Sequence, residues 1–247
     1  MDFFSYYPVD PSSPFYFDSH ISFYLAPLCL LGALALAVIF FRDRIRASGR
    51  ESLILTIATA AALFLEIGQH LCELFLRGAI PLDLCAITFW LAVLLCVTGK
   101  RFIYDLLYFW GIGALVSLVF VNNDGAGPDR FHYYQYFGTH GYTLLVILYF
   151  TVIRRYRVTF MTLFKAVAIL FPLTLAVRAL DAAFTAAPWR FNYMFLLRAP
   201  DVSTPLEAFG TGWPYYFGFV ALAVAVFFLS YLPWGIASGV KKIQKKK

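Results

Sequence analysis

The chain reads as all-α, a polytopic membrane protein built as a seven-transmembrane-helix bundle, N-terminus outside and C-terminus cytoplasmic. Three observations predict this. Of 247 residues, 61% are hydrophobic and only 14% charged, whereas soluble domains carry about 25% charged residues. Apolar runs of about 20 residues, the length that crosses a bilayer core, recur from end to end. The basic residues fall in the short gaps between those runs. Seven spans would use about 140 residues, which leaves no room for a soluble enzymatic domain.

Hydropathy, punctuated by Gly, Pro and charge clusters, predicts spans near 22–41, 52–76, 81–98, 102–121, 136–153, 160–184 and 214–232. Each must be helical, because unpaired backbone cannot face lipid and the runs are too long for barrel strands. The domain reading is an outer segment 1–21, a membrane domain 22–234 and a basic cytoplasmic tail 235–247. Span one is followed by Arg42, Arg44, Arg46 and Arg50, and span three by Lys100 and Arg101. Span five is followed by Arg154, Arg155 and Arg157, and span seven by Lys241, Lys242, Lys245, Lys246 and Lys247. That places 14 of the 20 basic residues on one side, against Arg77, Arg130, Arg190 and Arg198 on the other. The positive-inside rule makes the richer side cytoplasmic. The net charge of +6 is therefore an orientation signal rather than a sign of nucleic-acid binding.

Met1 to His20 lacks a basic leading region and carries Asp2, Asp10 and Asp18, so it is expected to be retained outside rather than cleaved. The two longest connections, about 122–135 and 185–213, also lie outside and are rich in aromatics: Tyr133, Tyr134, Tyr136, Trp189, Tyr193 and Trp213. These form either an interfacial belt or a lid over an outward-facing site.

Ionisable residues inside spans are costly and are functional candidates for that reason. They are Glu66, His70 and Glu73 on span two, Asp83 on span three, Asp105 alone near the cytoplasmic end of span four, His140 on span five, and Arg178 with Asp181 on span six. At 1.5 Å per residue, Glu73 and Asp181 lie about one turn deep, Cys85 and His140 about 6 Å, and His70 and Arg178 about 9 Å. One cavity opening to the outer side would collect them all. Glu66, His70 and Glu73 share a helix face, and their excess of acid calls for a cation, a proton or an Arg from another helix. Arg178 and Asp181, three apart, are spaced to pair.

The four cysteines lie in apolar segments with no CxxC pair, against a disulfide framework or thiolate zinc site; a Cys72 to Cys85 bridge is the one disulfide left open. Cys29 and Cys96 read as packing. Cys85 follows Pro81, a residue suited to the first helical position, and so sits in a helix's first turn, where the dipole favours a thiolate. In the same turn Asp83 complements the dipole. His140, flanked by Gly138 and Gly141, lies at the same estimated depth, so Cys85 and His140 are candidates for a thiolate and its general base.

Several strings resemble a bacterial integral membrane family typified by YwaF, itself similar to the eukaryotic transmembrane protein 164. They are Pro81-Leu82-Asp83-Leu84-Cys85, Tyr108-Phe109-Trp110-Gly111, His140-Gly141, Asn192-Tyr193-Met194-Phe195-Leu196 with Ala199-Pro200, and Trp213-Pro214-Tyr215. The resemblance implies a phospholipid acyltransferase of the bacterial cytoplasmic membrane with a catalytic cysteine and histidine, which by motif are Cys85 and His140. The androgen-induced transmembrane hydrolases, which use threonine for the cysteine, are more distantly similar. Two places depart from the pattern. Asp83 stands where relatives often have histidine, and Asn122 to Phe131 lacks their Pro-Asp segment.

The leading reading is acyl transfer through a Cys85 thioester, with His140 as base and a phospholipid or other acyl-ester lipid as partner. Arg178 is the candidate for the lipid phosphate, and Asn192 or a backbone N–H for the oxyanion. His70, Glu66, Glu73, Asp83 and Asp181 support the site, and no metal or cofactor is expected. The alternatives are a lipid hydrolase, resolved by water or dependent on a metal held by His70, Glu73, His140 and Asp181, and a seven-helix transporter or receptor with the acidic face of span two as a cation site. A retinal protein is disfavoured because span seven has no lysine. The acyl acceptor and the oligomeric state are not encoded in any motif.

Overall fold

The computed structural model describes residues 3–4, 9–77, 80–184, 192–200 and 202–244, without the side chains of 73, 76–77 and 240–244. Glu73, Arg77, Trp189 and Arg190 therefore lie outside the described side chains. All regular structure among the described residues is helical. The helices are α1 (Ile21–Phe40), α2 (Arg42–Ala47), α3 (Glu51–Arg77), α4 (Leu84–Thr98), α5 (Arg101–Trp110), α6 (Ile112–Val119), α7 (Phe131–Val152), α8 (Phe160–Ala183) and α9 (Gly212–Gln244). Five helical segments among them are long and apolar enough to cross a membrane: α1, most of α3, α5 with α6, α8 and most of α9. At 15 residues α4 is apolar but shorter.

Helix α7 is the hub, packing on α1, α3, α4, α5 and α6. It buries Gln135, Thr139, His140 and Thr143 along with its aromatics, so its polarity is turned inward. By contrast α1 buries none of its side chains, as a helix apolar on every side can when it faces lipid. Span four is divided at Gly111 into α5 and α6. The Gly111 N–H still donates to Leu107 O, but an added Cβ would lie 2.6 Å from that same backbone oxygen as well as 2.4 Å from Ile147 Cδ1 of α7, so glycine is favoured here. Gly99 ends α4 at φ 60°, the left-handed cap that closes many helices.

Three boundaries differ from the sequence expectation. Helix α7 starts at Phe131, five residues before the predicted span, because Tyr133, Gln135 and Tyr136 point into the protein rather than to the interface. Helix α9 runs on through Pro233 to Gln244, into the stretch read as a separate tail. Helix α4 starts at Leu84, so Pro81 precedes it instead of opening it. Residues 80–83 are held off the helix by the neighbouring loop: Ile80 N–H donates to Tyr193 Oη at 3.0 Å, and Met194 N–H to Asp83 Oδ1 at 2.9 Å.

The loops rich in Arg meet at one end of the bundle. Arg46 donates to the Val152 and Ile153 carbonyls at the C-terminus of α7, Arg154 pairs with Glu51 at 2.8 Å, and Arg101 donates to Arg157 O while lying over the Tyr156 ring. Asp105, expected to be alone, pairs with Arg101 at 3.7 Å across one helical turn.

Candidate functional site

At the opposite end a cavity of about 730 Å³ opens among α3, α4, α6, α7, α8, α9 and the 192–206 loop. The predicted residues Glu66, His70, Asp83, Cys85, His140 and Asn192 all line it. Arg178 and Asp181 do not.

Cys85 is the second residue of α4, and its Sγ lies 3.4 Å from Ser117 Oγ on α6. Asp83 occupies the N-cap position, where its carbonyl accepts from Ile87 N–H, but its carboxylate turns away to Met194. The Asp83 side chain thus caps none of the first-turn N–H groups of Leu84, Cys85 and Ala86, and all three residues border the cavity. A helix start of this kind presents fixed positive dipoles to whatever enters.

His140 Nδ1 is 2.6 Å from Tyr136 O, one turn back on α7. A carbonyl oxygen only accepts, so Nδ1 carries the hydrogen and Nε2 of the neutral ring keeps its lone pair. The Tyr136 ring lies against the imidazole, centroids 4.5 Å apart, and its hydroxyl donates to Ser117 O at 2.7 Å. Cysteine and histidine therefore share a cavity and a common neighbour in Ser117 and Tyr136, while the thiol's hydrogen-bond partner at rest is Ser117.

Glu66 is buried, with His70 Nε2 at 3.2 Å and Gln135 Nε2 donating at 2.8 Å. The same amide reaches Thr139 Oγ1 at 3.4 Å. The acid on this face is thus matched by its own histidine and by an α7 amide, and not by Arg178. The Arg178 guanidinium donates to Leu196 O and lies over the rings of Trp213 (4.7 Å) and Tyr216 (5.3 Å), fastening the loop to α9. It makes no ion pair with Asp181, whose buried carboxylate oxygens close no hydrogen bond although the Tyr193 N–H faces them. Of the cluster expected from depth, Glu66, His70, Asp83, Cys85 and His140 border the cavity, whereas Arg178 and Asp181 lie off its lining. Asn192 is committed to that loop: its Oδ1 accepts from Leu197 N–H at 3.0 Å and its Nδ2 donates to Arg198 O at 2.9 Å.

Of the expected aromatic belt, Tyr133, Tyr136 and Tyr193 are buried, whereas Tyr134 and Trp213 are exposed. Met194 and Phe195 hold φ of 54° and 53°, left-handed values unusual for residues with a Cβ. The Met194 bond to Asp83 pins that strained turn over the cavity. On the other flank Phe17 N–H donates to Gly125 O, and the Phe15 carbonyl approaches Gly127 so closely that a Cβ there would overlap it.

Sequence reasoning missed Ser117, Gln135, His132 and Arg198, which also line the cavity. Serine carries no charge to mark it in a span, and His132, Gln135 and Arg198 were assigned to loops. The four cysteines form no disulfide among the described residues, and no three His, Cys, Asp or Glu side chains among the described residues are gathered as a metal set.

No curated protein and no solved structure matches the chain. A family model does match, over residues 15–231, and that covers α1 to most of α9, every cavity-lining residue, and the loop carrying Met194. The chain belongs to the TMEM164 family, and its apolar helices make it a membrane protein.

Proposed function

We propose that the chain is an intramembrane acyltransferase that takes a fatty acyl group from an outer-leaflet phospholipid onto Cys85 and passes it to a second acceptor. The observation that carries this is that Cys85, His140, whose Nδ1 is held by Tyr136 O, and the first turn of α4, uncapped by its N-cap side chain, border one cavity. In this reading α4 and α7 complete seven spans, and the cavity end faces outward because the Arg-rich loops lie at the other end.

As the donor ester enters, the Cys85 thiol leaves Ser117 and gives its proton to His140 Nε2. The thiolate adds to the ester carbonyl, and the oxyanion meets the N–H groups of Leu84, Cys85 or Ala86. Collapse breaks the bond to the lysolipid oxygen, which takes the proton from His140, and leaves a Cys85 thioester. An acceptor hydroxyl, amine or water then gives its proton to His140 and attacks the thioester, regenerating the thiol. Arg198, the one Arg or Lys among the described cavity-lining residues, replaces Arg178 as the partner for the lipid phosphate. Glu66 and His70 keep the neighbouring wall polar and hold α3 to α7.

The test is incubation of the purified protein with phospholipid carrying a labelled acyl chain. Hydroxylamine-sensitive label should appear on Cys85 and be absent from Cys85→Ala. Full turnover by Cys85→Ala would refute the nucleophile.

A further inference from the structure

The cavity extends well beyond the reacting groups. Its walls include Trp110, Leu170 and Phe227, all buried in the main hydrophobic core. Helix register gives the depth of this arm. Phe227 lies eight residues along α9 from Phe219, and Trp110 seven residues before Ser117 on the α5–α6 span, so the arm runs about 10–12 Å inward at 1.5 Å per residue. One leaflet of the hydrocarbon core is about 15 Å deep. Along this length the walls are mainly apolar, with Ile112, Gly113 and Ala114 on one side and Ala223 and Val226 on the other, and the Thr143 and Thr174 hydroxyls that join them donate to backbone carbonyls of their own helices.

The arm also has a side opening. Val116 and Phe120 of α6 and Leu222 of α9 line the cavity yet are 46%, 37% and 37% exposed. Helix α6 packs on α4, α5 and α7, whereas α9 packs on α8 and on the Pro205–Phe209 turn. The seam between α6 and α9 is therefore where the cavity meets the lipid-facing surface.

We infer that this arm is an acyl-chain channel, entered sideways from the leaflet between α6 and α9 and floored by Trp110 and Phe227. Ala223 sets its bore, so that the depth of the channel selects the acyl donor by length. The inference rests on the acyl-transfer reading above. A chain leaving lipid for the channel gains little from burial, since lipid tails are as apolar as the walls. Discrimination comes from fit: a chain longer than the free depth must displace packed side chains.

The test compares full-length protein in lipid nanodiscs supplied with phospholipids bearing labelled hexadecanoyl or octanoyl chains, reading hydroxylamine-sensitive label at Cys85. Ala223→Phe should lower the hexadecanoyl-to-octanoyl labelling ratio roughly tenfold or more. Val226→Phe, one turn deeper, should move the cut-off to an intermediate length such as dodecanoyl. It also serves as the second probe if Ala223→Phe does not fold. Both variants lowering the two labels in equal proportion would overturn the channel while leaving acyl transfer standing. Absence of label on wild-type Cys85 with every chain length would refute acyl transfer itself, and the channel with it.

Discussion

The two ends of this bundle are built from the same apolar helices but on opposite principles. At the end where the Arg-rich loops meet, the interior is filled. Phe150 and Tyr104 both pack on Tyr156, at 5.4 and 5.3 Å, and toward the cavity floor Phe109 packs on Phe227 at 5.8 Å. The polar atoms of these rings are satisfied, Trp110 Nε1 by Ala166 O and the Tyr104 hydroxyl by Thr151. At the other end the helices part around a cavity, and the chain spends hydrogen bonds and backbone strain on a loop that covers it. The difference teaches that the filled end is the frame and the hollow end the site: rigid packing below lets polar groups above be held in place without closing the space between them.

Substitutions at the two ends should therefore separate into activity effects and stability effects. The largest effect expected is at Cys85. Cys85→Ala should reduce acyl transfer by about a thousandfold or more while leaving the melting temperature in detergent near that of the wild type. His140→Ala comes next, with a loss of about 10²- to 10³-fold in the rate of Cys85 labelling, measured in single-turnover assays. A large fall in melting temperature in either variant would break the distinction between frame and site.

Phe109→Ala probes the frame. Removing a fully buried ring costs about 3–5 kcal/mol, the lost burial plus the cavity left behind, visible as a lower melting temperature with the labelling rate per folded molecule retained. Asp83→Ala joins the two ends of the comparison. It removes the acceptor for the Met194 N–H, an effect of about 1–2 kcal/mol, and frees the strained turn, so labelling should slow by about tenfold while the inner core stays protected from hydrogen exchange. Arg46→Met should do least, about 1 kcal/mol, by uncapping the last carbonyls of α7. Its signature is faster hydrogen exchange confined to the end of that helix.

The comparison also explains which residues could be read in advance. Glu66, His70, Cys85 and His140 stood out because a charge or a reactive side chain in an apolar run is rare and expensive, and all four line the cavity. Ser117, Gln135 and Tyr136 carry no such mark. A serine or a tyrosine in a span costs little, an amide in a connection nothing, and the value of each comes from what another helix places beside it. Arg178 was legible as a buried cation but not as a loop anchor, because its partners Leu196, Trp213 and Tyr216 are 18 to 38 positions away in a segment read as interface.

By itself the sequence determined the helical membrane architecture, since periods of about 20 apolar residues admit no other backbone in lipid. It determined the gathering of basic loops at one end and singled out Cys85 and His140 as candidates, because these follow from composition along single helices. Tertiary structure alone decided the rest. It started α4 at Leu84 instead of Pro81 and turned the Asp83 carboxylate to Met194, so that this side chain caps none of the first N–H groups of α4. It also set Arg178 against Leu196, Trp213 and Tyr216, off the cavity lining. Those outcomes depend on contacts between separate segments, where pairing geometry, not local propensity, sets which polar group each donor meets.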